Sequence, residues 1–119
     1  MRVTEVVLHP LVRDSEGAVV ELRREAAQAV AHQQRLRQEI SAARARAAEI
    51  EEQARRTLAR GDELLARQLL ARGICALETR KALEAELEDS RHRVIRLLTT
   101  LVRTEDRAWG LRGARPIAM

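Results

Sequence analysis

Between Glu16 and Ala59 a single row of side chains recurs at alternating spacings of three and four: Val19, Leu22, Ala26, Ala29, Gln33, Leu36, Ile40, Ala43, Ala47, Ile50, Ala54 and Thr57. Only Gln33 and Thr57 in that row are polar. Steps of three and four return a side chain to one face of an α-helix, so the row predicts a coiled-coil seam sustained over more than five heptads. Arg, Glu and Gln fill the flanking positions, as a solvated helix surface requires. The many Ala residues in the seam allow a partner helix to approach closely. A helix over 16–59 would run for roughly 65 Å at 1.5 Å per residue.

The row stops at Arg60-Gly61-Asp62-Glu63. Gly61 is suited to the left-handed conformation that ends a helix. Asp62 is suited to capping the next one, with Glu63 favourable in its first turn. Beyond them a second helix is predicted over 63–109, with an apolar face of Ala66, Leu69, Leu70, Ile74, Leu77, Leu83, Leu87, Val94, Leu97, Leu98 and Leu101. Gly73 interrupts it and marks either a bend or a close approach of the two helices. So short a link makes two long helices fold back on each other. The fold class is therefore all-α: a long antiparallel coiled-coil hairpin with its tip near Arg60–Glu63. Before it, residues 1–14 are read as a short segment in which Pro10 interrupts helix formation, with Asp14 or Ser15 as the N-cap. After it, Gly110, Gly113 and Pro116 predict a flexible tail over 110–119.

Composition sharpens this picture. The chain has no Phe, no Tyr and a single Trp, Trp109, so a compact core built on aromatic bulk is excluded. Its 22 basic and 18 acidic side chains give a net charge of +4. The excess lies at one end. Residues 90–119 hold Arg91, Arg93, Arg96, Arg103, Arg107, Arg112 and Arg115 against Glu105 and Asp106. A basic end calls for an acidic partner.

No catalytic or metal-binding constellation is legible, and neither a cofactor nor a metal is expected. His9, His32 and His92 stand at no ligand spacing and have one Cys to join them. Glu51-Glu52 and the group Glu84, Glu86 and Glu88 read as salt-bridged surface, because a two-helix rod offers no pocket to shift their protonation. Cys75 reads as a small apolar filler; as the only Cys it cannot form an internal disulfide, which points to a reducing, cytoplasmic setting. No stretch is long and apolar enough to span a bilayer.

One stretch carries more information. At 100° per residue Arg93, Arg96, Arg103 and Arg107 fall within an arc of about 80°. Val94, Leu97, Leu98, Leu101, Ala108 and Trp109 lie broadly opposite. This pattern suits an anionic membrane surface. It equally suits a helix packed on its hairpin partner with Arg facing water. Nucleic acid is disfavoured, since no aromatic platform accompanies the arginines.

The tip, Leu58-Ala59-Arg60-Gly61-Asp62-Glu63-Leu64-Leu65-Ala66-Arg67-Gln68-Leu69-Leu70, resembles the hairpin turn of the phage-shock protein A family. That family includes the plastid vesicle-inducing proteins and is related to the ESCRT-III membrane-remodelling proteins. Val20-Glu21-Leu22-Arg23 and the run to Gln33-Gln34-Arg35-Leu36 are similar to its first long helix, and His9-Pro10 stands where the family often has Asp-Pro. The resemblance covers roughly residues 9–105. It singles out Arg60, Gly61, Asp62, Glu63, Leu65, Ala66 and Arg67 as tip residues. It implies a non-enzymatic, self-associating protein of the envelope stress response, supporting membrane maintenance or remodelling as a peripheral protein at the cytoplasmic face. Its partners would be further copies of itself and anionic lipid. The alternative it implies is a soluble coiled-coil adaptor that regulates a protein partner such as an AAA+ transcription activator. Family members carry a longer N-terminal amphipathic helix and further helices after the hairpin, so this chain reads as a short or reduced member.

Overall fold

The computed structural model describes the backbone of residues 3–111 and the side chains of Asp14 and residues 16–110. Two helices make up the described chain, α1 over Val3–Ala59 and α2 over Glu63–Leu111, joined as a helical hairpin. The hairpin comprises two compact units. A base half holds Met1–Ala31 and His92–Met119, and a tip half holds His32–Arg91.

The reversal follows from the sequence of the turn. Gly61 has φ 85°, a conformation that costs a residue with a Cβ about 1–2 kcal/mol. Its N–H donates to Leu58 O at 2.9 Å, and the Asp62 N–H donates to Thr57 O at 3.2 Å. This pair of bonds is the Schellman ending of a helix. Asp62 then starts α2: its Oδ1 accepts from the Leu65 N–H at 3.1 Å, and its carbonyl accepts from the Ala66 N–H at 3.1 Å. One residue closes the first helix and caps the second, so no further loop is needed.

On α1 the seam lies where the spacing puts it. All twelve positions from Val19 to Thr57 are buried or half-buried, and every other described side chain of α1 is exposed. Thr57, a polar member, donates from Oγ1 to Gln53 O at 2.8 Å. On α2 the predicted face needs correcting. The buried or half-buried row alternates by three and four without a break: Ala66, Leu69, Gly73, Ala76, Arg80, Leu83, Leu87, Ser90, Val94, Leu97, Leu101, Thr104 and Ala108. Leu70, Ile74, Leu77 and Leu98, expected in the seam, are exposed by 51%, 57%, 40% and 44%. They belong to the neighbouring stripe. Apolarity alone picked them, whereas the unbroken heptad register of a two-helix pair picks small and polar residues in their place.

The N-terminal boundary also differs. α1 begins at Val3, not near Glu16, and runs through Pro10, so the backbone of Asp14 and Ser15 lies within the helix and not at its start. Proline removes its own donor bond and its ring crowds the carbonyl four residues earlier. Here that loss falls within about two turns of the helix start, where little ladder precedes it. Gly110 continues α2, and the remaining tail, 112–119, lies outside the described residues.

Gly73 marks a close approach of the helices. A Cβ built there would lie 3.5 Å from Ile50 Cγ2, an ordinary contact. Gly73→Ala should therefore fit while removing about 1 kcal/mol of helix-propensity cost. Thermal denaturation is expected to show a higher Tm for this variant; a lower one would mean the helices cannot admit the methyl group.

Candidate interaction surfaces

In an antiparallel pair each flank of the seam collects side chains from both helices, and the ion pairs identify the two flanks. On one flank of the tip half Arg44 Nη2 lies 3.0 Å from Glu84 Oε1; within the base half Arg23 Nη2 lies 3.4 Å from Glu105 Oε1. On the other, His32 Nε2 lies 3.8 Å from Glu86 Oε1. The two Arg–Glu pairs are exposed or half-exposed and worth at most about 1 kcal/mol each. Their larger value is to fix the register.

The flank marked by Arg44 and Glu84 is apolar on α2. In the tip half Leu70, Ile74 and Leu77 line it, joined by Leu58 of α1, which is 57% exposed. A groove of ≈ 460 Å³ runs there beside Ala47, Ala48 and Gly73. In the base half α2 shows Ile95 and Val102 at 61% and 60% exposure, with Leu98 between them. Along the sequence of α2 between these residues, Lys81, Glu84, Glu88 and Arg91 recur at the same spacing of three and four. Rotating α2 to bury the apolar stripe would bury those four charges. The surplus must stay outside.

The opposite flank of α2 in the base half carries the arginines. Arg93, Arg96, Arg103 and Arg107 are all exposed, and of the intervening residues only Thr100 shares their arc. Trp109 does not join them. It is half-buried and stands seven residues after Val102, on the apolar flank. The structure also adds a feature that reading α2 alone missed. Glu21 and Glu25 of α1, both exposed, occupy the heptad positions that share the arginines' flank. Two anions therefore stand against four cations. The signal was present in the α1 heptad, but it acquires meaning only once the antiparallel register is known.

At the tip, Arg60, Gly61, Asp62, Glu63, Leu65 and Arg67 are exposed, and Ala66 enters the seam at 3% exposure. The acidic groups are arranged as surface pairs. Arg55 Nη2 lies 2.8 Å from Glu51 Oε1, Arg56 Nε lies 3.3 Å from Glu52 Oε1, and Arg91 Nη1 lies 3.4 Å from Glu88 Oε2. Cys75 is exposed and fills no core position, because its neighbour Ala76 takes the seam place. His9 falls outside the described side chains. Among the described residues no three His, Cys, Asp or Glu side chains converge as a metal site would require. No helix there is long and apolar enough to cross a membrane.

The architecture thus defines a helical-hairpin protein. The sequence model of the PspA/IM30 family matches residues 2–112, and the chain belongs to that family. Its members are non-enzymatic, membrane-associated phage-shock-type proteins that self-assemble into oligomers. No curated protein matches the chain closely enough to serve as a relative.

Proposed function

We propose that this chain is a self-associating hairpin that supports maintenance or remodelling of a membrane at its cytoplasmic face, meeting anionic headgroups through Arg93, Arg96, Arg103 and Arg107. The observation that carries the reading is the exposed arginine edge on the base half of α2, set on the flank opposite the apolar one. Family membership supports it. Basic side chains on one edge of a rod can approach a headgroup layer together, each contributing about 1 kcal/mol near the surface. Flotation with vesicles tests it. The protein is expected to rise with anionic vesicles at low salt and to remain below with zwitterionic ones. Absence from both floated fractions would remove the lipid contact from the reading. Trp109 faces away from the arginine flank, so its emission should change little on binding.

The apolar flank favours self-association. Leu70, Ile74, Leu77, Ile95, Leu98 and Val102 leave several half-exposed side chains, each withholding on the order of 1 kcal/mol of burial. A stripe at heptad spacing suits another helix better than lipid tails. Light scattering at micromolar concentration is expected to give a mass above that of one chain, and a strict monomer would count against it. The same flank supports the second reading, an adaptor that regulates a protein partner such as an AAA+ transcription activator. That reading predicts partner binding in the absence of vesicles.

A further inference from the structure

We infer that the outer stretch of the tip half, residues 43–57 with 66–80, opens as a separate unit, and that the cluster of Arg44, Glu84 and Arg80 marks where opening stops. The inference concerns the seam itself and stands independently of any lipid contact. Ile50 faces Gly73. Stepping from that layer by alternate threes and fours in opposite directions pairs Thr57 with Ala66, Ala54 with Leu69, Ala47 with Ala76 and Ala43 with Arg80. Further from the tip, Ile40 pairs with Leu83 and Leu36 with Leu87.

These layers are unequal. In the outer five, Ile50 and Leu69 are the only large apolar side chains, and each meets a Gly or an Ala. In the inner two, every member is Ile or Leu. Burial scales with apolar area, so the outer layers hold the helices together less strongly per turn. Grooves of ≈ 460 Å³ and ≈ 420 Å³ flank the thin stretch, one beside Ala47 and Gly73 and the other beside Ala76. Few partner atoms therefore reinforce it from either side.

The boundary is chemical. Arg80 occupies a seam position, and its Nε is buried with no hydrogen-bond partner. Glu84 Oε1 is 3.7 Å from that Nε, too far for a bond, and accepts from Arg44 Nη2 at 3.0 Å across the pair. A buried donor without a bond is costly, and opening the layer returns it to water. The closed state thus holds a buried guanidinium Nε with only a long 3.7 Å ion pair to Glu84 at the point where the packing changes from small residues to large ones. Opening would free Leu69 beside the already exposed Leu70, Ile74 and Leu77, widening the apolar face that α2 presents.

Native-state hydrogen exchange on the full chain tests this. Amides of 43–57 and 66–80 are expected to exchange together, at least tenfold faster than those of 36–40 and 83–87, with a step between Arg80 and Leu83. Arg80→Leu should slow the outer amides severalfold and leave the inner ones unchanged. Gly73→Ala should act in the same direction, which guards against an Arg80→Leu chain that aggregates. Uniform protection across the tip half, a smooth gradient without the step, or outer amides unmoved by both substitutions would overturn the proposal.

Discussion

Replacing Arg93, Arg96, Arg103 and Arg107 together by Gln is expected to abolish flotation with anionic vesicles while leaving helicity unchanged. Each cation near an anionic surface contributes about 1 kcal/mol, screened beyond a Debye length of about 8 Å. Four charges removed change the binding free energy by on the order of 4 kcal/mol, roughly a thousandfold in affinity. The four side chains are exposed and none lies in the seam, so the hairpin should survive the change. A fourfold variant that floats as well as the parent would show that the edge is merely solvated, and the adaptor reading would take its place.

The two-helix register makes this prediction signed. Glu21, which lies 3.7 Å from Arg24, and Glu25 stand on the same flank, so the parent protein offers less positive charge there than the four arginines alone would give. Binding should accordingly be weak and strongly dependent on salt. Glu21→Gln with Glu25→Gln is expected to strengthen it by about 2 kcal/mol, near thirtyfold. A generic loss of folding cannot mimic a gain of binding, so the pair of variants separates electrostatics from structural damage.

The limits of the sequence pattern are visible in the contrast between the helices. In α1 the apolar row and the buried row coincide from Val19 to Thr57, because hydrophobic choice and heptad register agree at nearly every position. In α2 they part. Leu70, Ile74 and Leu77 are more apolar than Gly73, Ala76 and Arg80, yet the latter face α1. Which stripe wins is decided by the whole helix: Leu83, Leu87, Val94 and Leu97 continue the buried row, whereas Lys81, Glu84, Glu88 and Arg91 continue the other. A window of three turns cannot weigh that. The arginine cluster was legible for a similar reason, since four side chains on one helix need only the 100° rotation. The opposing glutamates were not, because they come from the other helix and depend on antiparallel pairing. The surplus apolar stripe follows from the same conflict, and it is the part of the molecule most directly suited to a second chain.

The turn is the second place where one substitution should have a large effect. Gly61→Val is expected to lower stability by roughly 2 kcal/mol, since a Cβ at positive φ is strained and a branched one more so. No atom lies within 4 Å of the added Cβ, so the penalty is one of backbone conformation and not of crowding. For a chain of this size such a loss should lower the Tm by roughly 5–10 °C. Asn tolerates the left-handed region better than other residues with a Cβ, so Gly61→Asn should fall between Val and the parent. The strained chain has a specific escape. Both flanking sequences are strong helix formers, so α1 and α2 can continue as one helix and restore their seams with a second copy. Gly61→Val is then expected to give a larger hydrodynamic radius at high concentration, with unchanged helical content. If both Tm and radius match those of the parent, the chain reverses without needing a left-handed residue at position 61, and the double role of Asp62 as helix ending and N-cap must carry the turn alone.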